Sequence, residues 1–193
     1  MIKRPTLYVI AGSNGAGKST ITRTNLPKDV YIVNPDVIVA EKKVSAIQAG
    51  KEAIRIRQKL LNENATFAIE TTLSGRGEIA FLKQAKEKGY KILMTYVGIK
   101  NSKQSEYRVK RRTEEGGHSI PIEDIKRRYS KSLDNLSEAI KYADRVIVID
   151  NSLTKPKLIL YYSNKQEVRR SRSLPEWAKP VVQKNERKKT IKI

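Results

Sequence analysis

Cysteine is absent from all 193 residues, which excludes disulfides and thiolate metal sites. Histidine is nearly absent too, and the single His118 excludes a zinc site built from clustered histidines. No apolar run approaches the roughly 20 residues that a membrane-spanning helix needs. Met1-Ile2-Lys3-Arg4-Pro5 leads straight into a strand-like run with no signal-peptide pattern. A cytoplasmic protein without membrane contact is therefore the expectation. Aromatic residues make up only 6%, and no RNA- or DNA-reading motif interleaves the basic residues. Acidic residues are also short, 20 against 40 basic ones, for a formal net charge of +20. Such a field favours anionic partners (nucleotides, nucleic acid bound without sequence preference, or an acidic protein) and does not choose among them. The imbalance is steepest over residues 151–193, with 12 basic and 3 acidic residues.

What is present is dominated by Gly12-Ser13-Asn14-Gly15-Ala16-Gly17-Lys18-Ser19, which fits G-x-x-x-x-G-K-[ST], with Thr20 next. The apolar, β-branched run Thr6 to Ala11 before it reads as a buried strand, and Ser19 to Asn25 after it can open a helix. Strand, glycine loop and helix start together read as a phosphate cradle. Glycines let successive backbone N–H groups turn inward around phosphate oxygens, and the helix N-terminus adds partial positive charge. Residues 12–20 are thus the nucleotide-binding candidates. Lys18 would reach the β- and γ-phosphates, and the Ser19 hydroxyl would ligate Mg²⁺.

Further along, Val30–Val33, Thr66–Ile69, Lys91–Val97, Val146–Ile149 and Leu158–Tyr162 read as strands. Helices are expected from Val44 to Leu61, with Val44, Ile47, Ile54 and Leu61 on the packed face, and from Glu78 to Lys88, ended by Gly89. Two more run from Ser102 to Glu115 and onward from Pro121, the latter with a stripe from Ile122 to Ala143. Strands alternating with helices predict an α/β fold, a doubly wound and mainly parallel sheet with helices on both faces and a helical lid. In such a sheet ligands bind beyond the carboxyl ends of the strands. The kinase-like unit is expected over residues 1–165, with its lid at about 100–128. Residues 166–193 read as a basic extension in which Trp177 could dock, loosening into a flexible tail from Lys184.

A glycine loop alone does not separate kinases from motors and GTPases. No G-protein base-recognition motif and no apolar strand ending in Asp-Glu is present. A small-molecule kinase needs a cradle, a carboxylate to orient the acceptor hydroxyl and cations over the transferring phosphoryl. Asp36, after a strand end, is the candidate carboxylate, with a helix N-cap as the competing role. Glu70, Thr72 and Arg76 are candidate acceptor contacts. Arg108, Arg112, Arg127 and Arg128 could supply the cationic cover. Gly116-Gly117-His118 offers a hinge, His118 having a structural role.

With these pieces in place, the chain resembles the zeta toxin family of P-loop kinases. The resemblance rests on TLYVIAGSNGAGKST, NPDVI, FAIETTLSGRG, RVKRRTEEGGHSIP with IKRRYSKSLDNL, and YADRVIVIDNS, in order over about four-fifths of the chain. It implies transfer of phosphate from ATP or GTP, with Mg²⁺, to a sugar hydroxyl of a UDP-amino sugar such as UDP-N-acetylglucosamine. It further implies the toxin half of a toxin–antitoxin pair. By position it makes Lys18 and Ser19 phosphate and Mg²⁺ contacts, Asp36 the base, Glu70 and Thr72 substrate contacts, and Arg112 and Arg128 the phosphate-stabilising arginines. Asp150-Asn151 resembles the loop near the nucleotide base. Better-studied members are longer and carry an arginine after the T-L pair, where this chain has Ser74, its nearest arginine being Arg76. Two other readings stand beside this one: a polynucleotide-end kinase, and a non-enzymatic protein whose lid closes on ATP to recruit a partner.

Overall fold

The run Thr6–Ala11 forms β1 at the centre of the computed structural model, which describes residues 4–117 and 119–190. In chain order there follow α1 (Lys18–Asn25), β2 (Tyr31–Val33), α2 (Pro35–Lys42), α3 (Ala46–Asn62) and β3 (Phe67–Thr71). Next come α4 (Arg76–Glu87), β4 (Lys91–Gly98), α5 (Ser102–Glu114), α6 (Ile122–Ala139) and β5 (Arg145–Asp150). The described chain closes with β6 (Lys157–Ser163), β7 (Gln166–Arg170), a 3₁₀ turn (Glu176–Ala178) and α7 (Lys179–Thr190).

One sheet of seven strands in the order β2-β3-β1-β4-β5-β6-β7 holds the fold together. The first five strands are parallel, and β6 and β7 are added antiparallel at the edge. Because β1 lies between β3 and β4, the chain winds away from it in both directions, which opens a crevice at its carboxyl end. The ends of β1, β2, β3, β4 and β5 all face that edge. Successive side chains of a strand point to opposite faces. One face buries Leu7, Val9, Ile92 and Met94 with Leu82 of α4 and Leu136 of α6 in one apolar cluster. On the other, Ile21 of α1 packs with Val97 and Ile99. Among the described residues no helix is long and apolar enough to cross a membrane.

Two expected features come out differently. The helix expected to begin at Val44 begins at Ala46, behind a capping box between Ser45 and Gln48. Its Ile47 and Ile54 are 73% and 65% exposed, and the inward stripe is Ala49, Ala53, Arg57 and Leu61. Small alanines at a spacing of four let the helix approach closely, so the isoleucine repeat marks the outer face. The tail expected to loosen from Lys184 is helical to Thr190, its residues 191–193 lying outside the described ones. Ahead of it β7 pairs with β6, and Trp177, Val181 and Val182 join the core. Polar β7 is an edge strand held by ladder hydrogen bonds on one side only, so its sequence carries little hydrophobic signal.

Candidate active site

At the end of β1 the backbone turns sharply at Gly12, whose φ is 146°. A Cβ there would stand 2.2 Å from the Val97 carbonyl oxygen, so only glycine fits. The loop ends at Gly17, the N-cap of α1, whose first turn carries no acidic residue. The free N–H groups of that turn are therefore available to an anion. Asn14, Gly15, Gly17, Lys18, Ser19 and Thr20 line a cleft of about 800 Å³. Gly12, Ser13 and Ala16 shape the loop behind it, Ser13 and Ala16 both buried. Lys18 Nζ donates to the Ser13 carbonyl at 3.0 Å. Burial lowers the Lys18 ammonium pKa; Glu70 and Asp36 oppose the shift, whereas Arg112 and Arg128 add to it.

The acidic side of the cleft separates the expected acceptor residues. Glu70, in β3 beside Ile10 of β1, is 7% exposed and points at α1. Its carboxylate accepts the Ser19 hydroxyl at 3.0 and 3.4 Å and the Thr22 hydroxyl at 3.4 Å. Glu70 is thus joined to the phosphate loop. Thr72 pairs with the Ser74 hydroxyl at 2.8 Å, Arg76 opens α4 on the surface, and neither lines the cleft. These two sit past the end of β3, where the chain has already turned away. Asp36 does line the cleft. Asn34 caps α2, its side chain accepting the Asp36 N–H at 2.9 Å, which leaves the Asp36 carboxylate unused as a cap. It faces Arg112 Nη1 at 4.0 Å.

The opposite wall is α5, seated directly on the loop. Ser105 is fully buried and its hydroxyl donates to the Asn14 carbonyl. Arg108 Nη2 donates to the Asn151 carbonyl at 2.8 Å, and Nη1 reaches the Gly15 carbonyl at 3.5 Å. Arg108, Arg111 and Arg112 all line the cleft. Arg128, on α6, pairs with Asp124 at 3.5 Å and acts on Lys18 through its field without lining the cleft. Gly116 and Gly117 close α5, their N–H groups donating to Thr113 and Arg112 carbonyls at 3.0 and 2.8 Å. His118 lies outside the described residues. Beyond β5, Asn151 Nδ2 donates to the Ala16 carbonyl at 2.8 Å. Gln104, Tyr107, Leu153 and Thr154 complete the mouth without having been singled out in the sequence. For Gln104, Tyr107 and Arg111 the signal was available: Gln104 stands four before Arg108 and Arg111 three after it, while Tyr107 stands three after Gln104 and four before Arg111.

A buried ammonium, a helix N-terminus and three guanidinium groups surround space of nucleotide size, with Asp36 and Glu70 at its acidic edge. Such a site has the charge and room to suit a polyphosphate, with one carboxylate accessible beside it. The zeta toxin family model matches residues 1–166. An uncharacterized protein of Haemophilus influenzae is 32% identical over 123 residues, spanning 61% of this chain and 88% of that one. A chain of the AvrRxo1-ORF1:AvrRxo1-ORF2 complex superposes with a TM-score of 0.67 at 16% identity, over 94% of this chain and 64% of that one. The same complex solved with ATP gives 0.61 at 17% identity. This chain therefore spans just under two-thirds of the AvrRxo1 chain. A chain of the PezAT chromosomal toxin–antitoxin system of Streptococcus pneumoniae gives 0.61 at 17% identity, over 98% of this chain and 87% of that one.

Proposed function

The chain belongs to the zeta toxin family, and on that premise we propose that it is a kinase. It moves the γ-phosphoryl of ATP or GTP to a hydroxyl of a small anionic metabolite, a UDP-amino sugar such as UDP-N-acetylglucosamine being the first choice. One observation carries this reading. The accessible Asp36 carboxylate shares a single cleft with Lys18, Ser19 and the α5 arginines. In the proposed step the acceptor oxygen bonds to phosphorus, its proton passes to Asp36, and the nucleoside diphosphate leaves with the bridging oxygen. Lys18 and the N-terminus of α1 hold the phosphates. Arg112 and Arg128 balance negative charge from the α5–α6 side, the proposed cover at about 100–128.

The donor set suits Mg²⁺. Ser19 Oγ and the Glu70 carboxylate lie 3.0 Å apart in an all-oxygen corner of the cleft. Among the described residues there is no group of three or more Asp, Glu, His or Cys that could hold a metal alone. Mg²⁺ held between a protein and substrate phosphates takes one or two protein ligands, a number that Ser19 and Glu70 would supply. When bound, the ion would neutralise charge on the β- and γ-phosphates. Thr72 and Arg76 remain candidates for the far end of the acceptor, on the α4 side. The family supports a second part of the proposal, that this is the toxin of a toxin–antitoxin pair acting in the cytoplasm.

The test incubates purified protein and MgATP labelled at the γ-phosphate with UDP-N-acetylglucosamine, a metabolite extract and a 5′-hydroxyl oligonucleotide in parallel. Label is expected on the sugar nucleotide or another small anion. Label only on the oligonucleotide would replace this reading with a polynucleotide kinase, and tight ATP binding without any transfer would replace it with a binding protein. Asp36→Asn should cut transfer by about 10²- to 10⁴-fold while MgATP still binds.

A further inference from the structure

Trp177 is the single tryptophan of the chain and lies beyond the family-matched residues 1–166. It is 6% exposed, its ring 6.2 Å from that of Tyr96. The ring occupies the place of a side chain at the end of β4, since a Cβ on Gly98 would meet it at 2.1 Å. Packing alone would explain the ring. The indole N–H does something else, donating to Asp150 Oδ1 at 3.1 Å. The same oxygen accepts the Ser152 N–H at 3.2 Å and the Ser152 hydroxyl, so this carboxylate shapes the turn after β5.

That turn presents Asn151 to the phosphate loop. The Asn151 N–H donates to the Gly98 carbonyl at 2.8 Å, and its side-chain amide donates to the Ala16 carbonyl at 2.8 Å. Its own carbonyl accepts Arg108. A continuous set of contacts therefore runs from the C-terminal segment through Trp177 and Asp150 to Asn151 and the loop. We infer that Trp177 is a positioning residue of the nucleotide site, holding Asp150 so that Asn151 keeps the phosphate loop in its binding shape. The inference rests on the nucleotide-donor reading of the cleft and assigns the C-terminal segment a part in it.

Trp177→Phe removes the N–H together with the outer ring atoms that lie against Gly98, and Asp150→Ala removes the acceptor without touching the ring. Calorimetric titration with MgATP and steady-state kinetics should show dissociation constant and KM for ATP raised about tenfold in each, the scale of one hydrogen bond to a charged group. With kcat expected to stay within about twofold and the double variant to bind no worse than either single one, the pair acts as one unit. Wild-type Trp177 emission should shift on MgATP addition, and that response should be lost in Asp150→Ala. Wild-type affinity in Trp177→Phe, or additive losses in the double variant, would overturn the inference. Should Trp177→Phe not fold, Asp150→Ala decides alone, and unchanged MgATP affinity or a retained emission response refutes it. A wild type that binds no MgATP removes the donor site itself, and the inference falls with it.

Discussion

At the residue scale Glu70 is the position whose role changes most once its neighbours are seen. A carboxylate at the end of a central strand suits an acceptor contact, yet this one is buried against Ser19 and Thr22 on α1. There its charge acts on Lys18. Burial pushes the Lys18 ammonium pKa down, and Glu70 is the largest influence pulling it back up. In the proposed kinase only the ammonium form would hold the β- and γ-phosphates, so activity that depends on it should decline as pH rises through the Lys18 pKa. Glu70→Gln keeps an acceptor for Ser19 and removes the charge, which drives that pKa lower still. The alkaline limb of the kcat/KM profile for ATP should then begin at a lower pH than in the wild type, along with a loss of rate at neutral pH. A limb that stays in place would uncouple Glu70 from Lys18.

At the scale of elements, orientation separates what was legible from what was not. β1, the phosphate loop and α1 could be read because apolar run, glycine spacing and the lysine agree, and the strand ends carrying Asp36 and Asp150 follow from the alternating pattern. α3 was misread for a physical reason. Its helix has two apolar stripes, and the bulky one carrying Ile47 and Ile54 lies outside, whereas Ala49 and Ala53 face the core. Size, which dominates a hydrophobicity pattern, is a poor guide where close approach is what packing needs. Thr72 and Arg76, expected as acceptor contacts, lie outside the lining of the cleft, since a chain leaving a strand can turn either way. Trp177 could be flagged only as able to dock, since nothing local tells an indole which carboxylate it will meet 27 residues earlier. The two faces of α3 give opposite expectations. Ile47→Gln or Ile54→Gln should change stability by no more than about 0.5 kcal/mol. Ala53→Leu should cost about 1–3 kcal/mol through overpacking. Urea unfolding of the three variants decides, and a large loss at Ile54 with none at Ala53 would reverse the helix.

At the scale of the whole molecule the dominant quantity is charge, +20 over 193 residues. Many acidic side chains are already engaged with cations one helical turn away, as in Glu52 with Arg55, Glu123 with Lys126, and Glu138 with Lys141. Exposed pairs of this kind contribute about 0–1 kcal/mol each, and salt screens them. The surplus cations remain, and their mutual repulsion opposes the compact state. Salt therefore acts in two directions, weakening the pairs and relieving the repulsion. At 0.1 M the screening length is about 10 Å, longer than a pair and shorter than the molecule, so the long-range repulsion is cut most. The melting temperature, followed by calorimetry from 20 to 300 mM NaCl, should accordingly rise. Over the same range, affinity for a duplex oligonucleotide should fall steeply and independently of its sequence, as expected where phosphate contacts alone supply binding. A melting temperature that falls with salt would mean that the helix-surface pairs outweigh the net charge. Sequence-selective binding that persists at 300 mM would instead reopen the nucleic-acid reading of this cationic surface.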